Sequence, residues 1–406
     1  MHTLWDERFA LRTDNIKSSA IRELLKITSL PDVISFAGGL PAPEVFPIER
    51  FKEASEIVLS EMGERALQYG TTEGYQPLRE MIAQNAGKYG LKVSADNILI
   101  TTGSQQALDL MGRIFINRGD RVLVESPTYL GAIQAWNAYG TKYVTIPFDE
   151  NGMQTRELES RLRMGIKFIY VLPNFHNPTG VTLSRERRKQ LVEMANAYGV
   201  PIFEDDPYGQ LRYEGEHLPP VVVLDDAIRS KEFPVYSGNV IYTSTFSKIL
   251  APGLRLAWVV APVEVISKLV QAKQGCDLNT STLNQYLAYQ VANGPWMKSH
   301  INTIRKTYKE RRDVMLKALE DYMPEGVQWT KPKGGLFLWV TLPERLDTQK
   351  IFPAAIEKKV AFVPGESFHP KGGGHNTMRL NFSNSKPDLI VEGIKRLANV
   401  VKDNLK

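Results

Sequence analysis

From about residue 97 to residue 262, short apolar runs alternate with stretches of helical periodicity, and that alternation constrains the fold more than any other feature. Asn97–Thr102, Arg121–Val124, Lys167–Leu172, Val200–Phe203 and Val240–Tyr242 all read as strands. Strands and helices in regular alternation build βαβ units, so the expected class is α/β with a doubly wound, mostly parallel sheet. Beyond it the pattern changes. Val265 to about His300 is largely helical, and Ile301–Met323 reads as one long helix linking two domains. Gly334–Val340 and Met378–Phe382 are expected strands of a smaller α+β domain, against which the opening residues pack. A chain of 406 residues exceeds one ordinary core. The expected division is an N-terminal arm with part of the small domain over 1–46, a large domain over 47–300 and a small domain over 301–406. The Pro-rich stretch 41–47 suits an ordered arm crossing the site, and no internal repeat is visible.

The polar turns at the strand ends carry the chemistry. After Val240–Tyr242 come the hydroxyls of Thr243, Ser244, Thr245 and Ser247, then Lys248, a Pro252-Gly253 break and Arg255. Hydroxyl donors and a fixed guanidinium suit a phosphate. A lysine held beside that phosphate can form a Schiff base with an aldehyde cofactor that carries one, pyridoxal 5′-phosphate (PLP). Taken alone, Lys248 reads as an ordinary solvated lysine. Four other segments change that reading. Gly103-Ser104-Gln105-Gln106 opens a helix directly after a strand, with Ser104 as candidate N-cap. Helix starts of this kind bind anions, although a plain strand-to-helix turn has the same local signature. Asn177-Pro178-Thr179-Gly180 is a turn by local chemistry, or a place where the Asn177 amide meets a phenolate-like cofactor oxygen at the sheet edge. Glu204-Asp205-Asp206 ends another strand. Acidic turns are usually solvated, the reading kept here for Glu204 and Asp206. One carboxylate of the three suits a protonated pyridine nitrogen, which lets the ring draw electrons from a substrate. Tyr208 suits the same ring oxygen as Asn177. Tyr129, after the Pro127 turn, fits either a ring stacked on the cofactor or a core residue.

In this order, Gly103-Ser104-Gln105-Gln106, Tyr129, Asn177-Pro178-Thr179-Gly180, Asp205 with Tyr208, Ser247-Lys248, Arg255 and Arg379 resemble the class I/II PLP-dependent aminotransferases of fold type I, over essentially the whole chain. The resemblance implies Lys248 as the Schiff-base lysine and general base, and Asp205 against the pyridine nitrogen. It implies Asn177 and Tyr208 on the ring 3-oxygen and Tyr129 stacked on the ring. The Ser104 and Gln105 backbone, Ser247 or Thr245, and Arg255 would hold the phosphate. Arg379 would clamp the substrate α-carboxylate, a task for a bidentate guanidinium.

The N-terminal half is similar to the 2-aminoadipate/kynurenine aminotransferase branch. The likeness rests on the amphipathic stretch Ser19–Lys26, on Phe36-Ala37-Gly38-Gly39-Leu40-Pro41, on Ala66-Leu67-Gln68-Tyr69 and on Thr71-Thr72-Glu73-Gly74-Tyr75. It implies that Gly39 offers its N–H to the substrate carboxylate and that Tyr69 reaches the phosphate of a partner subunit, in a homodimer with shared sites. Asn177 and Tyr69 would also border the substrate. Arg22 matches a basic residue that meets acidic side chains. It also reads as a charge on a solvated helix face, yet Ser18, Ser19, Leu25 and Lys26, three and four positions away, offer it no acidic partner.

The expected activity is therefore ping-pong transamination between a 2-aminoadipate-like amino acid and 2-oxoglutarate, with breadth toward aromatic or branched-chain donors. A PLP-dependent β-lyase or decarboxylase shares the fold's motifs. A transcription regulator with an aminotransferase-like domain needs a winged helix before the Phe-Ala-Gly-Gly-Leu-Pro segment, where about thirty-odd residues stand. The net charge of +5 is dispersed. The clusters Arg185–Lys189 and Arg305–Arg312 read as solvated helix faces, not a nucleic-acid surface. The single cysteine, Cys276, excludes an internal disulfide, fits a reducing compartment and reads as a small packed residue. No apolar run reaches membrane-spanning length and no signal-peptide core is visible, so a cytoplasmic location is expected. The Gly372-Gly373-Gly374 run between His369 and His375 reads as a loop, not a metal site.

Overall fold

A computed structural model describes residues 3–16, 32–229 and 235–405. Arg22 and the helix expected over Ser19–Lys26 lie outside the described residues. In chain order the strands are β1 (Ile34–Ser35), β2 (Ile98–Thr101), β3 (Arg121–Ser126), β4 (Lys142–Asp149), β5 (Gly152–Met153), β6 (Ile166–Val171) and β7 (Ile202–Asp205). Then follow β8 (Val240–Thr245), β9 (Ala257–Val260), β10 (Gln328–Trp329), β11 (Phe337–Thr341), β12 (Val360–Ala361), β13 (Val363–Pro364) and β14 (Thr377–Asn381). Eight of them form one sheet in the order β2-β9-β8-β7-β6-β3-β4-β5. The run from β4 through β3, β6 and β7 to β8 is parallel throughout. Only β9 and β5 oppose it, and β2, antiparallel to β9, rejoins the common direction. β2, β7 and β9 are buried at every position, and in β7 the burial extends to the two acids Glu204 and Asp205.

The remaining strands lie mostly in a second, antiparallel sheet, β10-β11-β14-β13. The opening residues join this part of the chain. β1 pairs with β12, Asn381 N–H donates to Phe36 O at 2.8 Å, and Ser383 Oγ donates to Leu40 O at 2.8 Å. The helix expected from Ile301 instead begins at Trp296 and runs 27 residues to Tyr322. From it Tyr308 accepts the Ala42 N–H at 3.0 Å, and Arg311 pairs with Glu44, which fixes the arm at 41–47.

Three expectations about polar residues are corrected. The hydroxyl-rich stretch after Tyr242 is strand and not turn, since β8 runs on to Thr245. Thr243 Oγ1 is spent on Trp258 O (2.9 Å) and Ser244 Oγ on Asp206 O (2.8 Å), so neither is available to a phosphate. The basic clusters are not simply solvated, because Arg188, Arg311 and Arg312 are buried. Arg188 shows why a guanidinium can be buried there: it donates to Leu183 O, Pro219 O, Pro173 O and Asn174 Oδ1 at 2.7–3.0 Å, tying down the loop that follows β6. Cys276, expected to be packed, is exposed near the end of helix Val263–Asp277. No described helix is long and apolar enough to cross a membrane. Among the described residues no cluster of His, Cys, Asp and Glu could hold a metal ion, and the His369–His375 segment is a loop with Gly372, Gly373 and Gly374 all at positive φ.

Candidate active site

The C-terminal ends of β2, β3, β6, β7 and β8 converge on one cavity of about 250 Å³, where ligands of open α/β sheets collect. Gly39, Ser104, Gln105, Tyr129, Asn177, Asp205, Tyr208, Thr245, Ser247, Lys248, Arg255 and Arg379 all line it. Leu172, Pro207 and Phe337, which the sequence did not single out, complete the wall. Tyr69 is elsewhere, with 79% of its surface exposed.

At one end, helix Ser104–Phe115 points its N-terminus at the cavity. Ser104 is not the cap that its sequence position implied. Gly103 takes that place at φ 75°, and a Cβ there would collide with the Arg255 guanidinium. Ser104 is instead the first helical residue, and its buried Oγ has no hydrogen-bond partner among the described residues. Arg255 itself adopts the left-handed conformation (φ 53°), a strained choice for a non-glycine residue that sets its guanidinium against Gly103. Thr245 and Ser247 are the two hydroxyl residues of their run that reach this end. Thr245 Oγ1 is engaged by Leu256 O at 3.0 Å and Ser247 Oγ at 2.9 Å, so of the two it is the Ser247 hydroxyl that keeps its proton for an anion.

In the middle, Lys248 Nζ donates to Gly39 O at 2.8 Å. Burial lowers its amine to about 8, and the nearby Arg379 and Arg255 charges push the same way. The three consecutive acids have separate fates, and two correct the solvated reading. Glu204 and Asp206 are both buried. Glu204 accepts the backbone N–H groups of Val221 (2.8 Å) and Val222 (2.9 Å), at the start of helix Val221–Arg229. Asp206 accepts from Asn174 Nδ2 and from Gly209 N, each at 2.9 Å. Asp205 Oδ2 accepts from Tyr170 at 2.8 Å, while its buried Oδ1 has no partner among the described residues. Burial pushes Asp205 up to about 7, against the pull of the Tyr170 hydroxyl and with the help of Asp206.

At the far end, Arg379 in β14 is only 2% exposed. It donates to Asn177 Oδ1 at 2.8 Å and to Ala37 O at 2.6 Å, and lies over the Phe337 ring at 4.3 Å. Burial lowers it to about 10, so it stays charged at neutral pH, and its Nε is unpartnered among the described residues. Burial pushes the phenols of Tyr129 and Tyr208 up as well, so both remain neutral donors. Three buried polar atoms of residues on this lining, Ser104 Oγ, Asp205 Oδ1 and Arg379 Nε, have no hydrogen-bond partner among the described residues. Buried polar atoms are costly when left so, and an anion at the helix start, a protonated nitrogen at Asp205 and a carboxylate at Arg379 would satisfy them. A phosphorylated pyridine aldehyde together with an amino acid carries these three groups, so the lining fits PLP.

Comparison with known proteins gives the same assignment. The family model for aminotransferase class I and II matches residues 32–397. The chain is 47% identical over 409 residues to aromatic-amino-acid aminotransferase 1 of Thermococcus litoralis, covering 99% of this chain and 96% of that one. It is 44% identical to the 2-aminoadipate transaminase of Thermus thermophilus, covering 98% and 97%. The solved kynurenine aminotransferase of Pyrococcus horikoshii, in complex with PMP, superposes with a TM-score of 0.93 at 47% identity over 99% of both chains. The chain belongs to the class I and II aminotransferases. It is a fold-type-I transaminase that depends on PLP and acts on amino acids and 2-oxo acids.

Sequence reasoning missed Tyr170 and Phe337. Both sit inside apolar strand runs, where an aromatic residue reads as core. No local signal marks either one, and only the pairing of β6 with β7 and of β11 with β14 reveals what they face.

Proposed function

We propose that this transaminase takes an acidic, 2-aminoadipate-like amino donor, with tolerance for aromatic or branched-chain donors, and 2-oxoglutarate as acceptor. One observation carries the reading of the site: Lys248, Asp205, Asn177, Tyr208 and Arg379 line a single cavity whose buried, unpartnered polar atoms match the groups of cofactor and substrate. The likeness to a 2-aminoadipate transaminase supports the acidic donor, and the likeness to an aromatic-amino-acid enzyme supports breadth.

When bound, PLP supplies an aldehyde for the substrate amino group and a ring that withdraws electrons from the α-carbon. The protein's part follows from its own groups. The start of helix Ser104–Phe115, with Ser104, Gln105, Ser247 and Arg255, would hold the phosphate, and Thr245 would orient the Ser247 hydroxyl. Asp205 Oδ1 would keep the ring nitrogen protonated. Asn177 and Tyr208 would donate to the ring oxygen while Tyr129 stacks on the ring. Arg379, with the Gly39 N–H, would fix the α-carboxylate. Lys248 Nζ, with its pKa lowered to about 8, is an amine able to accept the α-proton at mildly alkaline pH and hand it on.

The same reading makes 47–300 the large PLP-binding domain and 301–406 the small one, joined by the arm over 1–46. It makes the enzyme a cytoplasmic homodimer in which the exposed Tyr69 reaches the partner's phosphate, and Arg22 the residue that meets a distal carboxylate. A panel of amino donors against 2-oxoglutarate tests the substrate. 2-Aminoadipate should rank with or above glutamate, and a panel in which only neutral donors react would reject the acidic preference.

A further inference from the structure

The two oxygens of Asp205 are held differently, and the difference points to a residue outside the cavity. Tyr170 is in β6, where the register pairs it with Phe203, two residues before Asp205 in β7. Side chains two apart on a strand share a face, so the Tyr170 hydroxyl runs diagonally toward the Asp205 carboxylate. It meets Oδ2 at 2.8 Å. The Tyr170 ring is fully buried, edge-on to Trp136 (5.1 Å between centroids) and tilted on Phe203 (5.8 Å), so the hydroxyl has little freedom. Both flanking carboxylates are already occupied, Glu204 by the Val221 and Val222 N–H groups and Asp206 by Asn174, Gly209 and Tyr242.

We propose that Tyr170 is a positioning residue for the cofactor ring. Its hydroxyl holds Asp205 Oδ2 at 2.8 Å, which favours the ionised carboxylate against the effect of burial and leaves Oδ1 for the ring nitrogen. The proposal rests on the reading of Asp205 as partner of the ring nitrogen. Without the hydroxyl, a carboxylate of this burial would pick up a proton or rotate, and its hold on a protonated nitrogen would weaken while every other cofactor contact persisted.

The test separates nitrogen recognition from binding in general. Pyridoxamine 5′-phosphate, which makes no covalent bond to Lys248, and its analogue with a carbon in place of the ring nitrogen are titrated into cofactor-free full-length protein, with binding followed by calorimetry. Wild type is expected to prefer the nitrogen compound. Tyr170→Phe keeps the packed ring and is expected to cut that preference roughly tenfold or more, the scale of one hydrogen bond to a charged group, with the analogue's affinity unchanged. On an Asp205→Ala background the same substitution should change nothing further. A fluorotyrosine placed at 170, a stronger donor of nearly the same shape, should hold or raise the preference even if the phenylalanine variant folds poorly. Equal losses for both compounds, or a fluorotyrosine protein with lowered preference, would overturn the role of Tyr170. A wild type indifferent to the ring nitrogen would instead remove the assignment of Asp205.

Discussion

Replacing Arg379 by lysine tests the carboxylate clamp. A guanidinium has five N–H donors. Here one is given to Asn177 Oδ1 at 2.8 Å and one to Ala37 O at 2.6 Å, and the Nε donor has no partner among the described residues. The donors left over are enough for a two-point fork on a carboxylate. A lysine ammonium has three donors in all and no fork. If it keeps Asn177 and Ala37 satisfied, a single donor remains where arginine offered a pair. The loss is then one hydrogen bond to a charged group, about 1.5–3 kcal/mol, which is roughly 10- to 150-fold in affinity. The assay is a single-turnover half-reaction, followed by cofactor absorbance, with 2-aminoadipate and with 5-aminopentanoate, which lacks the α-carboxylate. Half-saturation for the first should rise by that factor and for the second hardly move. Arg379 also packs on Phe337 at 4.3 Å and Phe368 at 5.1 Å, so a melting curve of each variant controls for lost packing. Equal weakening of both substrates in a folded variant would refute the clamp and make Arg379 a tie between Asn177 and the arm.

Lys248→Ala should still bind PLP through the phosphate contacts but lose the lysine-linked absorption band and turnover by several orders of magnitude. A borohydride-reducible adduct on another lysine would reassign the site. Asp205 makes cofactor-free stability depend on pH. Its folded pKa, about 7, lies above the unfolded value near 3.8, so ionising it costs folding energy increasingly from pH 4 to 7 and to a constant extent above. Cofactor-free Asp205→Asn should therefore melt above wild type at pH 8, with the gap closing toward pH 4; a gap independent of pH would contradict the raised pKa. Mixing inactive Lys248→Ala chains with inactive Tyr69 variants should restore part of the activity, because one site of each mixed dimer carries neither lesion. A fully active monomer would exclude this. Arg22→Ala should raise KM for 2-aminoadipate and leave leucine nearly unchanged; a parallel response would put Arg22 on a solvated face.

What the sequence made legible was the set of residues whose identity is dictated by chemistry at a strand end. Asp205 ends β7, Lys248 and Asn177 lie three and six residues beyond the ends of β8 and β6, and a parallel sheet brings all such ends to one edge. Burial of charge was not legible. Glu204 and Asp206 look like any acidic turn, and their partners Val221, Val222 and Asn174 come from segments that only the folded chain brings near. Arg188 stands in a run of charges typical of a wet helix, yet its guanidinium is fixed by four oxygens, three of them fourteen or more residues away in sequence. Cys276 fails the other way: cysteines are usually inside, and local periodicity did not show that this one faces out. Ser104 had the right residue type for a cap, but the positive φ at Gly103 moved the helix start by one position and freed its hydroxyl.

The bond between Arg379 and Asn177 links the four-stranded sheet to the eight-stranded one, one partner in β14 and the other on the loop after β6. On the proposed assignments it also joins the group that reads the carboxylate of the incoming molecule to the group that reads the cofactor. The two anchor points around the reacting carbon are thereby spaced by a single strut, which fixes how far apart they sit. Selectivity then has to be written outward from that carbon, in whatever borders the rest of the substrate. Variation of donor preference among enzymes built this way should accumulate in the opening arm, and the strut should tolerate little change in length.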